Sequence, residues 1–348
     1  MARDNYNCAV HIETSAPTRI DLAGGTIDIW PLYLFHPGAQ TLNAAISLRA
    51  TARIDTRSDH RVVIRSEDTN RTVEVEDWSQ LRETGELRLL SLLADWFLRG
   101  PGAPAHGRKD GLTLTTRCQS PAGAGIAGSS ALTVAVCSAL AAWTRHHHEP
   151  EALLQIAMNI EAQAIQVPTG LQDYRPAMYG GIAALELEVD GVRRIALDVD
   201  ARELERRIVL CYTGEPRNSG TNNWEIIKKH IDGDAFVFDC FERIRDTASA
   251  MRTALTRGDW DGVGRAIADE WENRKRLAPG VTTPAIDDLI ARAMNAGATA
   301  AKVCGAGGGG CLFCYAPPNR AQAVRDALAE GGARLLDYRI ERDGLTRG

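Results

Sequence analysis

A few short stretches of the 348-residue chain carry residues that chemistry could use. Residues 120–136, SPAGAGIAGSSALTVAV, run a loop of Gly, Ala and Ser straight into an apolar helix. Glycines 123, 125 and 128 let backbone N–H groups approach an anion without Cβ interference. The helix mouth adds unsatisfied donors and a partial positive charge, so a phosphate is the natural guest. A P-loop would need Lys-Ser/Thr where this chain has Ser129-Ser130. A dinucleotide fold would need a strand after the helix, but HHHEP and a second helical pattern follow. Two readings remain: a phosphate loop of another kinase architecture, with serines at the helix mouth helping to hold Mg²⁺, or a mouth trimmed only for close packing.

Three further stretches bear on that choice. APTRIDLAGGTID, residues 16–28, sets Arg19 on a strand, a Gly-Gly turn at 24–25 and Asp28 just beyond. EAQAIQVPTGLQDYRPAMYGG carries Glu161 and Asp173, the first on a helical pattern and the second in the loop after it. KVCGAGGGGCLF places five glycines among residues 305–310, between two strand patterns. No hairpin needs so many, and their flexibility is entropically costly. Close approach of that backbone to another loop or to a ligand is the better account.

In this order the segments resemble the motifs of the GHMP kinases, the relatives of galactokinase, homoserine kinase, mevalonate kinase and phosphomevalonate kinase. The middle motif of that family runs P-x-G-x-G-L-G-S-S-x-A. Pro121, Gly123, Gly125, Ser129 and Ala131 match it, with Ile126 for Leu, Ala127 for Gly and Gly128 for Ser. Within the family, GLQDYRPAMYGG, YTGEPRNS and WENRKRLAPGVTTP look similar to the D-glycero-D-manno-heptose 7-phosphate kinase branch, which phosphorylates an anomeric hydroxyl. The first motif departs from that branch. Its usual A-G-G-G-T-D is here Ala23-Gly24-Gly25-Thr26-Ile27-Asp28, without the third glycine and with one extra residue between Thr and Asp.

The resemblance implies an α+β, two-domain GHMP kinase fold: an N-terminal ribosomal-protein-S5-domain-2-like domain, residues 1–200, and a C-terminal ferredoxin-like α/β domain, residues 201–348. It implies ATP held by Pro121, Gly123, Ala124, Gly125, Ile126, Ala127, Gly128, Ser129 and Ser130, with Mg²⁺ on Ser129 and Glu161. Asp173 would orient the acceptor hydroxyl beside Arg19. Asp28, Gly25, Thr26 and Gly181 would face a sugar, while Arg175 and Arg217 would meet an anionic group on it. Gly305, Gly307 and Gly308 would brace the phosphate loop from the other domain. A galactokinase- or mevalonate-type acceptor is the alternative, and a non-catalytic nucleotide-binding sensor on the same scaffold is the alternative of another class.

The elements that must position these residues follow from pattern. AVHIETSAPTRIDLA, LNAAISLRATARIDT and HRVVIRSED read as strands, residues 79–99 as helix, and GLTLTTRC as the strand feeding the loop. ALTVAVCSALAAWTR is apolar nearly all round, hence a buried helix, and PEALLQIAMNIEAQAI is a helix with Pro150 in its first turn. A hairpin turns at Asp190-Gly191. Helices fill 220–300, and strands TAAKVCG and CLFCYA, helix 319–331 and a final strand ARLLDYRIE close the chain. Trp30, Tyr33 and Phe35 are expected to pack, or one of them to floor a sugar pocket.

Composition narrows the classes. With 44% apolar and 24% charged residues the chain is of ordinary globular type. A net charge of −5 argues against nucleic acid or an anionic membrane as partner. The apolar stretch Ala131–Trp143 is too short to span a bilayer. Eight scattered cysteines without a secretory leader read as reduced thiols and a cytoplasmic protein; a monomer or homodimer is expected.

Overall fold

The computed structural model describes residues 11–100, 110–216 and 219–348, without the side chains of 219–222. Strand β1 (His11–Ala23) alternates exposed and buried residues at first and is buried on both faces from Ala16 onward. It pairs antiparallel with β2 (Gln40–Arg57). The register shifts between Pro17 and Thr18 and again between Asp21 and Ala23. Such irregularities re-aim side chains, and here they bracket Arg19 and Asp21.

The first sheet continues through β3 (Val62–Ser66), β4 (Arg71–Val75) and β5 (Gly111–Cys118), with order β1-β2-β5-β3-β4. β3 and β5 run parallel. β6 (Ile182–Glu188) also pairs with β2, and β7 (Gly191–Ala196) returns beside it through a two-residue turn at Val189-Asp190, one residue before the expected Asp190-Gly191. Helices α1 (Arg88–Arg99), α2 (Gly128–Thr144), α3 (Pro150–Ile165) and α4 (Tyr174–Tyr179) share one core with this sheet. α2 is apolar all round because strands β1 and β2 lie on one side of it and α1 and α3 on the other.

After α5 (Ala201–Arg207) comes β8 (Ile208–Tyr212), then α6 (Ser219–Ile231), α7 (Ala235–Arg257), α8 (Trp260–Arg274) and α9 (Pro284–Asn295). β9 (Ala300–Val303), β10 (Cys311–Tyr315), α10 (Ala321–Glu330) and β11 (Arg334–Leu335) follow. They form an antiparallel sheet of order β11-β8-β10-β9. A shared apolar cluster joins the two sheets: Ile20 and Leu22 of β1 and Ala184 of β6 meet Met251 and Leu255 of α7, Ile267 of α8 and Phe313 of β10. That contact explains why the second half of β1 has no exposed face. The chain ends in β12 (Thr346–Arg347), paired with β1.

Three expectations are corrected. The helical pattern of 79–99 is a short 3₁₀ turn, Trp78–Glu83, then α1, broken around Thr84-Gly85. The final strand is confined to Arg334–Leu335, because the chain then leaves the second sheet and Ile340 bridges to Ile46 of the first. Trp30 and Phe35 do not pack inside; they are 66% and 51% exposed. Cys137, Cys211, Cys240, Cys304, Cys311 and Cys314 are buried free thiols, and Cys8 lies outside the described residues. Among the described residues no helix is long and apolar enough to cross a membrane.

Candidate active site

The loop between β5 and α2 is shaped by three different demands. Gly123 and Gly125 take positive φ of 67° and 76°, which glycine adopts without steric cost. A Cβ on Gly128 would sit 2.3 Å from Ser120 Oγ. Ala127 adopts φ 60° at the helix mouth, and no side chain caps α2. The loop carbonyls are turned into protein: Pro121 C=O accepts from Ala124 N–H, Ala124 C=O from Cys311 N–H at 2.6 Å, Gly125 C=O from Arg19 Nη1 at 2.9 Å and Ile126 C=O from Arg19 N–H at 3.1 Å. The first-turn N–H groups of α2 have no intrahelical partner, and Gly123, Ser129 and Ser130 line a cavity of about 470 Å³.

Against the loop stands an ion pair. Arg19 is 1% exposed and gives Asp173 Oδ1 two bonds, from Nε at 3.0 Å and from Nη2. Burial opposes the guanidinium charge, but Asp173 and Asp21 beside it hold it firmly protonated. Asp173 stands at the N-terminus of α4 without capping it, so its carboxylate is committed to Arg19 and the cavity. Glu161, on the last turns of α3, accepts hydrogen bonds from Ser129 Oγ on Oε1 and from Tyr174 OH at 2.7 Å on Oε2. Its pKa is raised, chiefly by burial, against the hydrogen bonds of Ser129 and Tyr174. A buried carboxyl and a hydroxyl facing a cavity are hard oxygen donors, a set that fits Mg²⁺.

Asp28 lies at the same cavity, 1% exposed, with Oδ2 accepting from Gln172 N–H at 2.9 Å. Burial, then the nearby charge of Asp173, pushes its pKa up to about 7. A Cβ on Gly170 would lie 2.3 Å from Asp28 Oδ2, which accounts for glycine there. Thr26 lines the cavity with φ 73°, a conformation costly for a β-branched residue. It occupies the position where the heptose-kinase motif carries its third glycine.

The remaining expected residues fall elsewhere. Gly25 packs under the Arg274 guanidinium, where a Cβ would come within 1.9 Å of Nη2. The Gly181 backbone ties Ala45 to Glu341. Arg175 is buried, pairs with Glu151 Oε2 at 2.7 Å and does not line the cavity, although its Nε keeps no partner among the described residues. Arg217 lies outside the described residues. Of the glycine loop, Gly305 lines the cavity, but Gly307 and Gly308 pack on Val281. The contact with the phosphate loop comes instead from Gly310 and Cys311, against Ala124. The cavity also takes in Thr169, Gln172, Asn223 and Ala306, none of which the motifs single out.

Behind the site lies a closed set of charges. Asp21, Glu270, Arg274 and Lys302 are each at most 1% exposed. Arg274 reaches Asp21 at 3.1 Å, Glu270 at 2.9 Å and the carbonyl of Gly305, while Lys302 pairs with Glu270 at 3.1 Å and Asp21 at 3.5 Å. Burial alone would raise the Asp21 pKa, but Lys302 and Arg274 outweigh it and hold it low.

The sequence profile described as GHMP kinases N terminal domain matches residues 94–181, and that described as GHMP kinases C terminal matches 251–334. The first segment carries the Gly123–Ser130 loop, Glu161 and Asp173 and the second carries Gly305, whereas Arg19, Thr26 and Asp28 precede both. The chain belongs to the GHMP kinases. It is therefore a phosphotransferase. It is 27% identical over 340 residues to a D-glycero-alpha-D-manno-heptose 7-phosphate kinase of Campylobacter jejuni, spanning 96% of this chain and 98% of that one. The crystal structure of a D-glycero-D-manno-heptose 1-phosphate kinase from Bacteroides thetaiotaomicron superposes with TM-score 0.78 at 25% identity, over 97% of this chain and 98% of that one. A Lactococcus lactis galactokinase complexed with galactose shares the fold, with TM-score 0.80 at 20% identity over 97% and 95% of the two chains.

Proposed function

We propose that this GHMP kinase transfers the γ-phosphoryl group of ATP, with Mg²⁺, to the anomeric hydroxyl of a sugar or sugar phosphate of the D-glycero-D-manno-heptose 7-phosphate type. The observation that carries this reading is the convergence on one cavity of an uncapped helix mouth, the Ser129–Glu161 pair beside it and the Arg19–Asp173 pair that also holds the loop. The relative of known name at 27% identity supports the acceptor class.

Each residue then has a part. On the proposed division, residues 1–200 bind ATP and 201–348 close the site. The amides of Gly123 to Ser130, apart from that of Ala124, which is bonded to Pro121, receive phosphate oxygens. Ser129 and Glu161 would hold Mg²⁺, which when bound supplies positive charge to the phosphates. Arg19 takes Asp173 Oδ1 with two donors, which leaves Oδ2 to accept the acceptor hydroxyl and aim its oxygen at the phosphorus. Phosphoryl transfer needs mainly such positioning and charge neutralisation. Arg19 also holds the carbonyl of Gly125, so the acceptor site and the phosphate loop share one guanidinium.

The test is phosphorus NMR of products from ATP and a panel of D-glycero-D-manno-heptose 7-phosphate, L-fucose, D-galactose and mevalonate. A new anomeric phosphate on the heptose is the expected result. Transfer to mevalonate alone, or to none of the four, would refute the assignment.

A further inference from the structure

Two buried oxygens at the cavity wall have no partner among the described residues: Asp28 Oδ1 and Gln172 Oε1. Their residues are already joined by the Gln172 N–H bond to Asp28 Oδ2, and Gln172 directly precedes Asp173. Gln172 is 4% exposed and Asp28 1%. Leaving one buried polar atom unpaired costs about 1–3 kcal/mol. Two such atoms on one cavity wall are a standing cost with no structural return; Gln172 Oε1 can use only a hydrogen-bond donor, and Asp28 Oδ1 can accept from a hydroxyl or, when protonated, donate to it.

The charge inventory says which donor. Among the described lining residues Asp28, Glu161 and Asp173 are acidic and Arg19 is the one Arg or Lys. Arg19 is committed to Asp173 and Gly125, and the nearby Arg175 to Glu151. A carboxylate or phosphate brought to this wall would meet the acceptor oxygen of Gln172 and, among the described lining residues, no cation beyond the Arg19 already paired with Asp173. A neutral hydroxyl brings a proton to donate.

We propose that Gln172 is a specificity-determining residue. Its Oε1, together with Asp28 Oδ1, reads hydroxyl groups of the acceptor next to the one that Asp173 holds, and any phosphate on the acceptor points away from this wall. This rests on the sugar-acceptor reading above and names the face of the sugar that is read.

The experiment is calorimetric binding, which needs no turnover. The full chain and its Gln172→Met and Gln172→Glu variants are titrated with the four compounds of the panel, and with every monodeoxy analogue of the sugar bound most tightly. Gln172→Met should weaken the intact sugar about 10–100-fold with ATP affinity unchanged. One deoxy analogue, weaker than the parent on the unaltered chain, should bind Gln172→Met as well as it binds the unaltered chain. Gln172→Glu, which keeps an acceptor oxygen, should recover part of the loss. Four outcomes overturn the proposal: an unchanged affinity in Gln172→Met, an equal loss for the sugar and all its analogues, mevalonate as the tightest ligand, or no sugar bound at all. Sugar binding with the expected Gln172 pattern but without phosphoryl transfer would sustain this pair and refute the kinase assignment instead.

Discussion

Two groups of buried charge lie within a few residues of each other along β1, and they are built to opposite rules. Around Asp21 each carboxylate meets two cations and each cation two carboxylates, across β1, α8 and β9, and nothing faces solvent. Around Arg19 the pairing is incomplete. Asp28 and Gln172 keep unpaired oxygens, Glu161 has only hydroxyl partners, and two non-glycine residues, Thr26 and Ala127, hold positive φ. The first arrangement spends every charge on holding elements together. The second leaves groups and strain in reserve beside a cavity, which is where function is found.

The largest expected effect tests the open group. Asp173→Asn should cut turnover about 10²–10⁴-fold while ATP titrates as before. Near-normal turnover would remove Asp173 from the mechanism and with it the contrast. The closed group should answer in stability instead. Arg274→Met leaves Asp21 and Glu270 buried with one cation fewer, and loss of one partner of a buried pair costs about 3–5 kcal/mol. Urea denaturation reads this directly, and the fraction still folded should turn over at a rate within tenfold of the unaltered chain.

A third test uses pH, because the two groups respond with opposite sign. Asp28 has its folded pKa raised to about 7. Between the unfolded carboxyl pKa near 4 and that value, the folded chain keeps a proton that the unfolded chain has released. Its contribution is therefore complete at acid pH and is lost as pH rises through 7. Asp21, with its pKa lowered, contributes fully above the unfolded value and loses that contribution as pH falls below it. Asp28→Asn should remove the alkaline loss, a gain of ~4 kcal/mol above pH 7, and leave the acid limb in place. Equal slopes for the variant and the unaltered chain from pH 4 to 8, read by thermal unfolding, would reject the assignment. The smallest effect is at the helix mouth. Ala127→Gly relieves a left-handed residue but loosens the unfolded chain, for a net gain of about 0.5–1 kcal/mol in chemical denaturation.

The open group was largely legible in the sequence and the closed one was not, for a physical reason. Gly123, Gly125, Ser129, Glu161 and Asp173 belong to local patterns whose residue types restrict the chemistry. The helix PEALLQIAMNIEAQAI and the hairpin turn, which falls at Val189-Asp190 one residue before its expected place, are likewise decided by neighbours in sequence. Asp21 and Arg274 are 253 residues apart, and each looks alone like a solvated charge. The available signal was Lys302, a lone cation in the otherwise apolar strand AAKV. Arg175 misled because a loop arginine beside a catalytic pattern suggests an anion, whereas Glu151 on the neighbouring helix already supplies one. Trp30 and Phe35 misled because aromatic content does not say which face is covered. Gly25 was right in type but wrong in reason: its missing side chain makes room for a guanidinium, not a sugar.

The last fifteen residues act as a strap: they leave the second sheet at β11, touch Ile46 on the way, and finish on the edge of β1. A backbone that opens in one sheet, builds another and comes home to the first cannot lose either half quietly. Heat or denaturant should take both in one cooperative step, so a lesion planted far from the cavity would still lower the temperature at which catalysis fails.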